Sequence, residues 1–247
     1  MTKKQKHTKV DGKTPSRPKK PNSDDLIMVG IGSSAGGLDA LQHVLPNLQV
    51  KDDVAYVVVQ HLSPTHRSLL TSLLEKHTPM PVQKITEGMR IEPGNLYVAP
   101  PDKDVVLSGN RLELHKPSSI GPSPSIDSFF TSLASEKGGQ AVGIILSGSG
   151  SDGAHGIRAI KSDDGITLAQ SPDSASFDSM PRAAINTGLV DLVAPPEEIG
   201  EELEIALQYP GKIASNKTIE PDDEIPVILG MLHQRTGVFS GAWWSTR

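Results

Sequence analysis

The chain has 247 residues, a net charge of −5, a hydrophobic content of 36% and no cysteine. The lack of cysteine excludes disulfides, a thiolate nucleophile and a cysteine-based metal site. No apolar run approaches the roughly 18 to 20 residues of a membrane span, and the basic, polar start lacks a signal-peptide core, so we expect a cytoplasmic protein.

Charge is distributed unevenly along the chain. Residues 1–22 contain eight Lys or Arg and one acid, which leaves the remainder with a net charge of −12. We expect residues 1–24 to form a disordered basic arm, because they are rich in Lys, Pro, Thr and Ser and have no periodicity. The acidic body argues against nucleic acid as a partner.

The first ordered segment predicts a strand, a glycine turn and a helix. Residues 26–31 are an apolar run typical of a buried parallel strand, and residues 38–48 have helical spacing. The turn between them fits G-x-S-x-G with Ser34 at its centre, which is the nucleophile motif of serine hydrolases. It also fits G-x-G-x-x-A over residues 30–35, a dinucleotide fingerprint, and the glycines could simply allow close helix–strand packing.

The second strand weakens the dinucleotide interpretation. Strand 54–59 ends in Gln60 and His61, where a dinucleotide site needs an acid for the ribose. Beyond it we predict a helix over 68–75, and then strands over 82–85, 96–99, 105–107 and 111–114. We interpret these four strands as an antiparallel excursion beside the main sheet, with a hairpin turn at Ser108-Gly-Asn110.

The second half returns to alternating strands and helices. Ser125 is a candidate N-cap of a helix ending at Lys137, and strand 141–146 leads into a second glycine-rich turn that contains Asp152. The remaining predicted elements are helices over 154–162, 183–187 and 196–208 and strands over 166–169 and 189–193. This order predicts an α/β fold, with a doubly wound, mostly parallel sheet and helices on both faces, over residues 25–210. Residues 211–247 are linker-like, with a possible helix start over 225–232.

Three polar residues each follow the carboxyl end of a different predicted strand: Ser34, His61 and Asp152. Ligand sites of open parallel sheets lie at this edge, so we expect these residues to meet there. A serine needs an adjacent base, an imidazole can be that base, and a carboxylate can orient the imidazole. The amides of Ala35 and Ser149 are candidate oxyanion donors. No metal or cofactor is implied.

Alternatives remain for each role. Ser33 is the rival nucleophile, and Asp173 and Asp178 are the rival carboxylates. Asp152 could also simply cap the helix that starts at Ala154. Any of the eight histidines could be structural.

Five motifs occur in one order that resembles the catalytic domain of the chemotaxis protein-glutamate methylesterases, the CheB family. They are Ile31-Gly-Ser-Ser-Ala-Gly-Gly37, Val59-Gln-His-Leu62, Val98-Ala-Pro-Pro101, Ile145-Leu-Ser-Gly-Ser-Gly-Ser-Asp-Gly153 and Met180-Pro-Arg-Ala-Ala-Ile185. The resemblance covers roughly residues 26–208.

The resemblance implies a Ser-His-Asp triad formed by Ser34, His61 and Asp152. It also implies hydrolysis of glutamate methyl esters on receptor or signalling proteins, with possible deamidation of receptor glutamines. Family members commonly carry an N-terminal phosphoacceptor domain, whereas a basic arm precedes the domain here, so we expect control by phosphorylation within the chain to be absent. The segment 225–237 resembles the opening helix of the partner methyltransferase, so a methyltransferase and a phosphoacceptor protein are possible partners in trans.

Two other function classes remain open at this stage. A catalytically silent regulatory or scaffolding module could keep the same fold. A nucleotide-binding domain is the third hypothesis, and the missing ribose-binding acid argues against it.

Overall fold

The computed structural model describes residues 26–61, 69–117 and 121–209. The predicted basic arm, most of the loop after His61 and the C-terminal segment that resembles a methyltransferase helix lie outside the described residues. Ten strands and six α-helices are present in the part that is described, together with short 3-10 turns. The strands are β1 (Ile27–Ser33), β2 (Val54–Gln60), β3 (Val82–Lys84), β4 (Met89–Arg90), β5 (Leu96–Val98), β6 (Asp104–Ser108), β7 (Arg111–His115), β8 (Ala141–Ile145), β9 (Ile166–Gln170) and β10 (Leu192–Ala194). The helices are α1 (Gly37–Val44), α2 (Leu70–Leu74), α3 (Ile126–Lys137), α4 (Ala154–Ser162), α5 (Ser179–Ile185) and α6 (Pro196–Gln208).

Seven strands form one parallel sheet in the order β10-β9-β8-β1-β2-β5-β3. The chain runs outward from β1 through β2 and later returns to the other side of β1 with β8. The strand order therefore reverses next to β1, and such a switch point is where open α/β sheets bind ligands. The predicted doubly wound, mostly parallel fold is confirmed.

Helices cover both faces of the sheet. Helices α1, α2 and α6 pack on one face, around a buried cluster that includes Ile31, Val58 and Leu203. Helices α3, α4 and α5 and the small second sheet pack on the other face, around Phe129 and Phe130. The apolar runs of β1, β2 and β8 are buried on both sides, which explains why they lack the alternation of a half-exposed strand.

One part of the predicted excursion is wrong. The strands predicted over 82–85 and 96–99 do not belong to an antiparallel unit, because β3 and β5 extend the main sheet as parallel strands. The small antiparallel sheet consists of β4, β7 and β6. The predicted hairpin over 105–114 is confirmed, while β4 was not predicted.

Several element boundaries also differ from the prediction. The helix predicted over 183–187 begins earlier, as α5 at Ser179, so Pro181 lies in its first turn, where a missing N–H costs no hydrogen bond. The strand predicted over 189–193 is the shorter β10. The Ser125 N-cap of α3 is confirmed, since its side chain accepts a hydrogen bond from the Ser128 amide.

Candidate active site

Ser34 and His61 are the first residues beyond two paired strand ends. Ser33 of β1 is in register with Gln60 of β2. The His61 amide donates a hydrogen bond of 3.1 Å to the Ser33 carbonyl, so the parallel pairing continues to the base of both residues. The predicted neighbourhood of Ser34 and His61 therefore follows from the register of β1 with β2.

The Ser34 turn is attached to the glycine-rich turn that follows β8. The Ser34 amide donates to the Ser147 carbonyl at 3.0 Å, and the Ser147 hydroxyl donates to the Ala35 carbonyl at 2.9 Å. Gly148 lies so close that a Cβ there would be 2.9 Å from the Ser34 Cβ and would overlap Met180. A glycine at 148 thus allows the two turns to touch.

A hydrogen bond joins two of the predicted catalytic side chains, His61 and Asp152. His61 Nε2 lies 2.7 Å from Asp152 Oδ2, and the two side chains are only 13% and 8% exposed. An ionised carboxylate only accepts, so Nε2 carries the hydrogen and Nδ1 of a neutral ring remains free to accept one. A general base needs such a free ring nitrogen to accept a proton.

Asp152 is held by a complete set of donors. Its Oδ2 also accepts from the Ile126 amide at 2.8 Å, and its Oδ1 accepts from the amides of Asp127 at 3.0 Å and Gly153 at 3.1 Å. Burial alone would raise the pKa of Asp152, but the bonds from His61 and from the two amides that begin α3 outweigh burial and hold it below the ordinary value of 3.8. The carboxylate therefore stays ionised despite its burial.

The alternative role for Asp152, a cap of the helix starting at Ala154, accounts for one of its hydrogen bonds only: the N-cap residue of α4 is Gly153, and Asp152 accepts from the Gly153 amide alone at this helix end. Asp152 also binds the first two amides of α3, and Asp127 binds the Gly153 and Gly156 amides at the start of α4. Sequence reasoning missed Asp127. Its only signal is an acid in the first turn of a helix, a position where acids are common for dipole reasons alone.

The two candidate oxyanion donors lie in the two touching turns. Within the described residues, neither the Ala35 amide nor the Ser149 amide donates a hydrogen bond to another group. Ala35 is half-buried and Ser149 is exposed. Free amides beside a nucleophile are the donors that a developing oxyanion needs, but this role remains a prediction.

The rival residues lie in less suitable places. The Ser33 side chain is fully buried on the α1 side of β1. Asp178 forms an exposed pair with Arg182 at 2.6 Å, and Asp173 lies in an exposed turn. His43 bonds to a carbonyl of its own helix. Ser34 thus remains the better candidate nucleophile and Asp152 the better carboxylate.

Across residues 26–61, 69–117 and 121–209, no group of three or more acidic or histidine side chains is placed to hold a metal ion. No helix in this part of the chain is long and apolar enough to cross a membrane.

Comparison with known proteins identifies the family of the chain. The family model for CheB methylesterase matches residues 29–203. The chain belongs to the CheB methylesterase family. The crystal structure of the Thermotoga maritima CheB methylesterase catalytic domain superposes with a TM-score of 0.68 at 29% identity, covering 72% of this chain and 97% of that domain.

Named relatives in the CheB family match over a similar range. The Myxococcus xanthus protein-glutamate methylesterase/protein-glutamine glutaminase 1 is 35% identical over 182 residues, which are 72% of this chain and 53% of that protein. The Escherichia coli protein-glutamate methylesterase/protein-glutamine glutaminase is 34% identical over 181 residues, or 71% of this chain and 52% of that protein. The chain thus spans about half the length of the curated relatives that it matches.

Proposed function

We propose that this protein is a protein-glutamate methylesterase in which Ser34 is the nucleophile, His61 the general base and Asp152 the orienting carboxylate. The observation that carries the proposal is the 2.7 Å bond between His61 Nε2 and Asp152 Oδ2 beside the Ser34 turn. Family membership supports the same reaction, since the named relatives are methylesterases and glutaminases.

The first chemical step is acylation of Ser34. The Ser34 Oγ attacks the ester carbonyl carbon while His61 Nδ1 takes the hydroxyl proton, and Asp152 stabilises the imidazolium that forms. The amides of Ala35 and Ser149 bind the carbonyl oxygen as it becomes negative, and each such donor is typically worth about 3 kcal/mol of transition-state stabilisation. His61 then gives its proton to the departing methoxide, which leaves as methanol.

The second step is hydrolysis of the glutamyl ester on Ser34. His61 removes a proton from water, the water oxygen attacks the acyl carbon, and the proton returns to Ser34 Oγ as it leaves. The products are a glutamate carboxylate, a proton and the free enzyme. An amide could follow the same course with ammonia as the leaving group, so glutamine side chains are a second substrate class. The substrate is a methylated receptor or signalling protein.

The test is release of methanol from a methylated receptor fragment. Wild-type protein should release methanol and label with a fluorophosphonate at Ser34, and Ser34→Ala should do neither while Ser33→Ala keeps the fluorophosphonate reaction. A wild-type protein that folds but shows neither reaction would instead favour the catalytically silent regulatory module.

A further inference from the structure

The N-termini of α3 and α4 meet next to the candidate triad. A carboxylate at the start of each helix accepts hydrogen bonds from backbone amides of the other helix. Asp127, in the first turn of α3, accepts hydrogen bonds from the Gly153 amide at 2.9 Å and the Gly156 amide at 2.7 Å. Asp152, just before α4, accepts from the amides of Ile126 at 2.8 Å and Asp127 at 3.0 Å. Each carboxylate thus binds amides that the other helix leaves without an intrahelical partner.

These reciprocal hydrogen bonds fix the position of Asp152 from two sides. The α3 amides hold both carboxylate oxygens, and Asp127 holds the turn from which Asp152 projects. Gly153 is shared, because its amide lies within hydrogen-bond distance of Oδ1 of both Asp127 and Asp152. A shift of the turn relative to α3 would therefore move Asp152 away from His61 Nε2.

From this geometry we infer that Asp127 is a positioning residue, which acts through Asp152 to keep the His61 ring in the orientation and tautomer that accept a proton from Ser34. The inference rests on the proposed function for its catalytic part. Its structural part, the state of the His61 ring, does not depend on that function. Asp127 contacts neither His61 nor any atom of the Ser34 turn by a hydrogen bond among the described residues.

The negative charge of Asp127 and its hydrogen bonds have opposite effects on the Asp127–Asp152 pair, so substitutions can test them separately. Burial raises the pKa of Asp127, the amide bonds from Gly156 and Gly153 oppose this rise, and the charge of Asp152 adds to it. The titratable groups that act on the pair are the two carboxyls themselves and His61. Asparagine at 127 keeps an acceptor oxygen for both amides and removes the like charge, whereas alanine removes the acceptor.

The experiment compares Asp127→Ala and Asp127→Asn with Ser125→Ala as the matched control. Ser125 accepts a 3.2 Å bond from the Ser128 amide at the same helix end, but its side chain does not bind Asp152. The measurements are kcat and KM for p-nitrophenyl acetate, the thermal midpoint, and the tautomer of His61 from its ring 15N shifts. Asp127→Glu keeps the charge and lengthens the side chain by one methylene, so it tests the inference if the alanine variant does not fold.

We expect Asp127→Ala to lower kcat about 10- to 100-fold with little change in KM, as for a displaced catalytic group. Its neutral His61 should become a mixture of tautomers. Asp127→Asn and Ser125→Ala should keep kcat within about threefold and keep the Nε2–H tautomer, and Asp127→Glu should lose activity despite its charge.

Three outcomes would overturn the inference. They are an unchanged kcat and tautomer in Asp127→Ala, a loss of kcat in Ser125→Ala as large as in Asp127→Ala, and, where only the glutamate variant folds, its full activity with an unchanged tautomer. If wild-type protein hydrolyses no ester, the proposed function fails, and the ring 15N shifts of the same variants still decide whether Asp127 positions the pair.

Discussion

Replacement of Asp152 by asparagine should damage both the fold and the chemistry. Each oxygen of Asp152 accepts two hydrogen bonds: Oδ1 from the Asp127 and Gly153 amides, and Oδ2 from the Ile126 amide and His61 Nε2. Asparagine has one acceptor oxygen, and its amide group donates. In either orientation of the asparagine, its NH2 group must face at least one backbone N–H. A buried N–H group that is left without an acceptor lowers the free energy of unfolding.

The orientation of the asparagine amide with the lower free-energy cost follows from the number of backbone N–H groups that its NH2 group would face. With NH2 at the Oδ2 position, the Ile126 amide loses its acceptor, and the asparagine donates to His61 Nε2. With NH2 at the Oδ1 position, that group faces the N–H groups of both Asp127 and Gly153, and it gains no hydrogen bond; the Asp127 amide loses its acceptor, while the Gly153 amide keeps Asp127 Oδ1. The first orientation costs one charge-assisted backbone bond, which is worth about 2 kcal/mol of unfolding free energy.

The first orientation also reverses the tautomer of His61. The ring must then carry its hydrogen on Nδ1, the nitrogen that should accept the proton of Ser34. An Asp→Asn change that fixes the wrong tautomer in a serine protease lowers kcat about 10⁴-fold, and we expect a loss of that order here.

The assay is methanol release together with urea unfolding, with Asp178→Asn as the control. The Asp178→Asn variant also removes the charged partner of an arginine, Arg182, but that pair is exposed, so solvent screening leaves it little effect on the unfolding free energy. A turnover within tenfold of wild type in Asp152→Asn would refute the idea that this carboxylate sets the tautomer. An unfolding free energy of Asp152→Asn equal to that of wild type would refute the expected loss of a backbone hydrogen bond.

The stability difference for Asp152→Asn should depend on pH with a definite sign. Because the folded pKa of Asp152 lies below the ordinary 3.8, its ionised form contributes stability that is fully present well above pH 3.8. That contribution is lost as the pH falls through the lowered folded pKa. The contribution of the Asp152 charge to the gap between wild type and Asp152→Asn should therefore shrink as the pH falls below about 4.

Two further substitutions probe the junction of α3 and α4. Gly156→Ala should cost about 1–3 kcal/mol of unfolding free energy, because its Cβ would overlap the Cβ of Phe130 and lie 3.1 Å from the Phe130 ring. Gly139→Ala has its nearest neighbour at 3.6 Å and should cost less in the same urea titration. Asp127→Asn should unfold at the same or a higher temperature than wild type at pH 7, because burial and Asp152 raise the pKa of Asp127 and so disfavour its ionised form. This advantage should disappear as the pH falls through the raised pKa towards 3.8, and a variant that is less stable at pH 7 would contradict the electrostatic argument.

The main part of the sheet could be predicted from sequence because the strands that build it are long apolar runs. β1, β2 and β8 are buried on both faces, and a buried parallel strand has few alternatives with that pattern. Since all parallel strands end at one edge, the positions of Ser34, His61 and Asp152 after these strands predict that they lie close together, and the structure joins two of them, His61 and Asp152, by a hydrogen bond.

The parts that sequence reasoning missed depend on distant partners. β3 and β5 have three residues each, too few to show whether they run parallel or antiparallel to a neighbour. Asp127 and Gly156 lie 29 positions apart, and nothing in either segment indicates that the start of one helix binds the start of the other. Such contacts arise from the packing of α3 against α4, which periodicity does not describe.

The amides that allow a buried charge at Asp152 also connect the fold to the chemistry. Water would normally solvate an ionised carboxylate, and at 8% exposure the α3 amides and His61 replace it. The same amides would be unsatisfied helix ends without Asp152, so stability and turnover should fall together in variants at this junction. At Ser34 the loss of stability and the loss of turnover should separate, because Ser34 lies just beyond β1, is only half-buried and loses only a hydroxyl in Ser34→Ala. A Ser34→Ala protein that unfolds like wild type but is inactive, beside an Asp152→Asn protein that is deficient in both, would show that the carboxylate belongs to the fold and to the site at once.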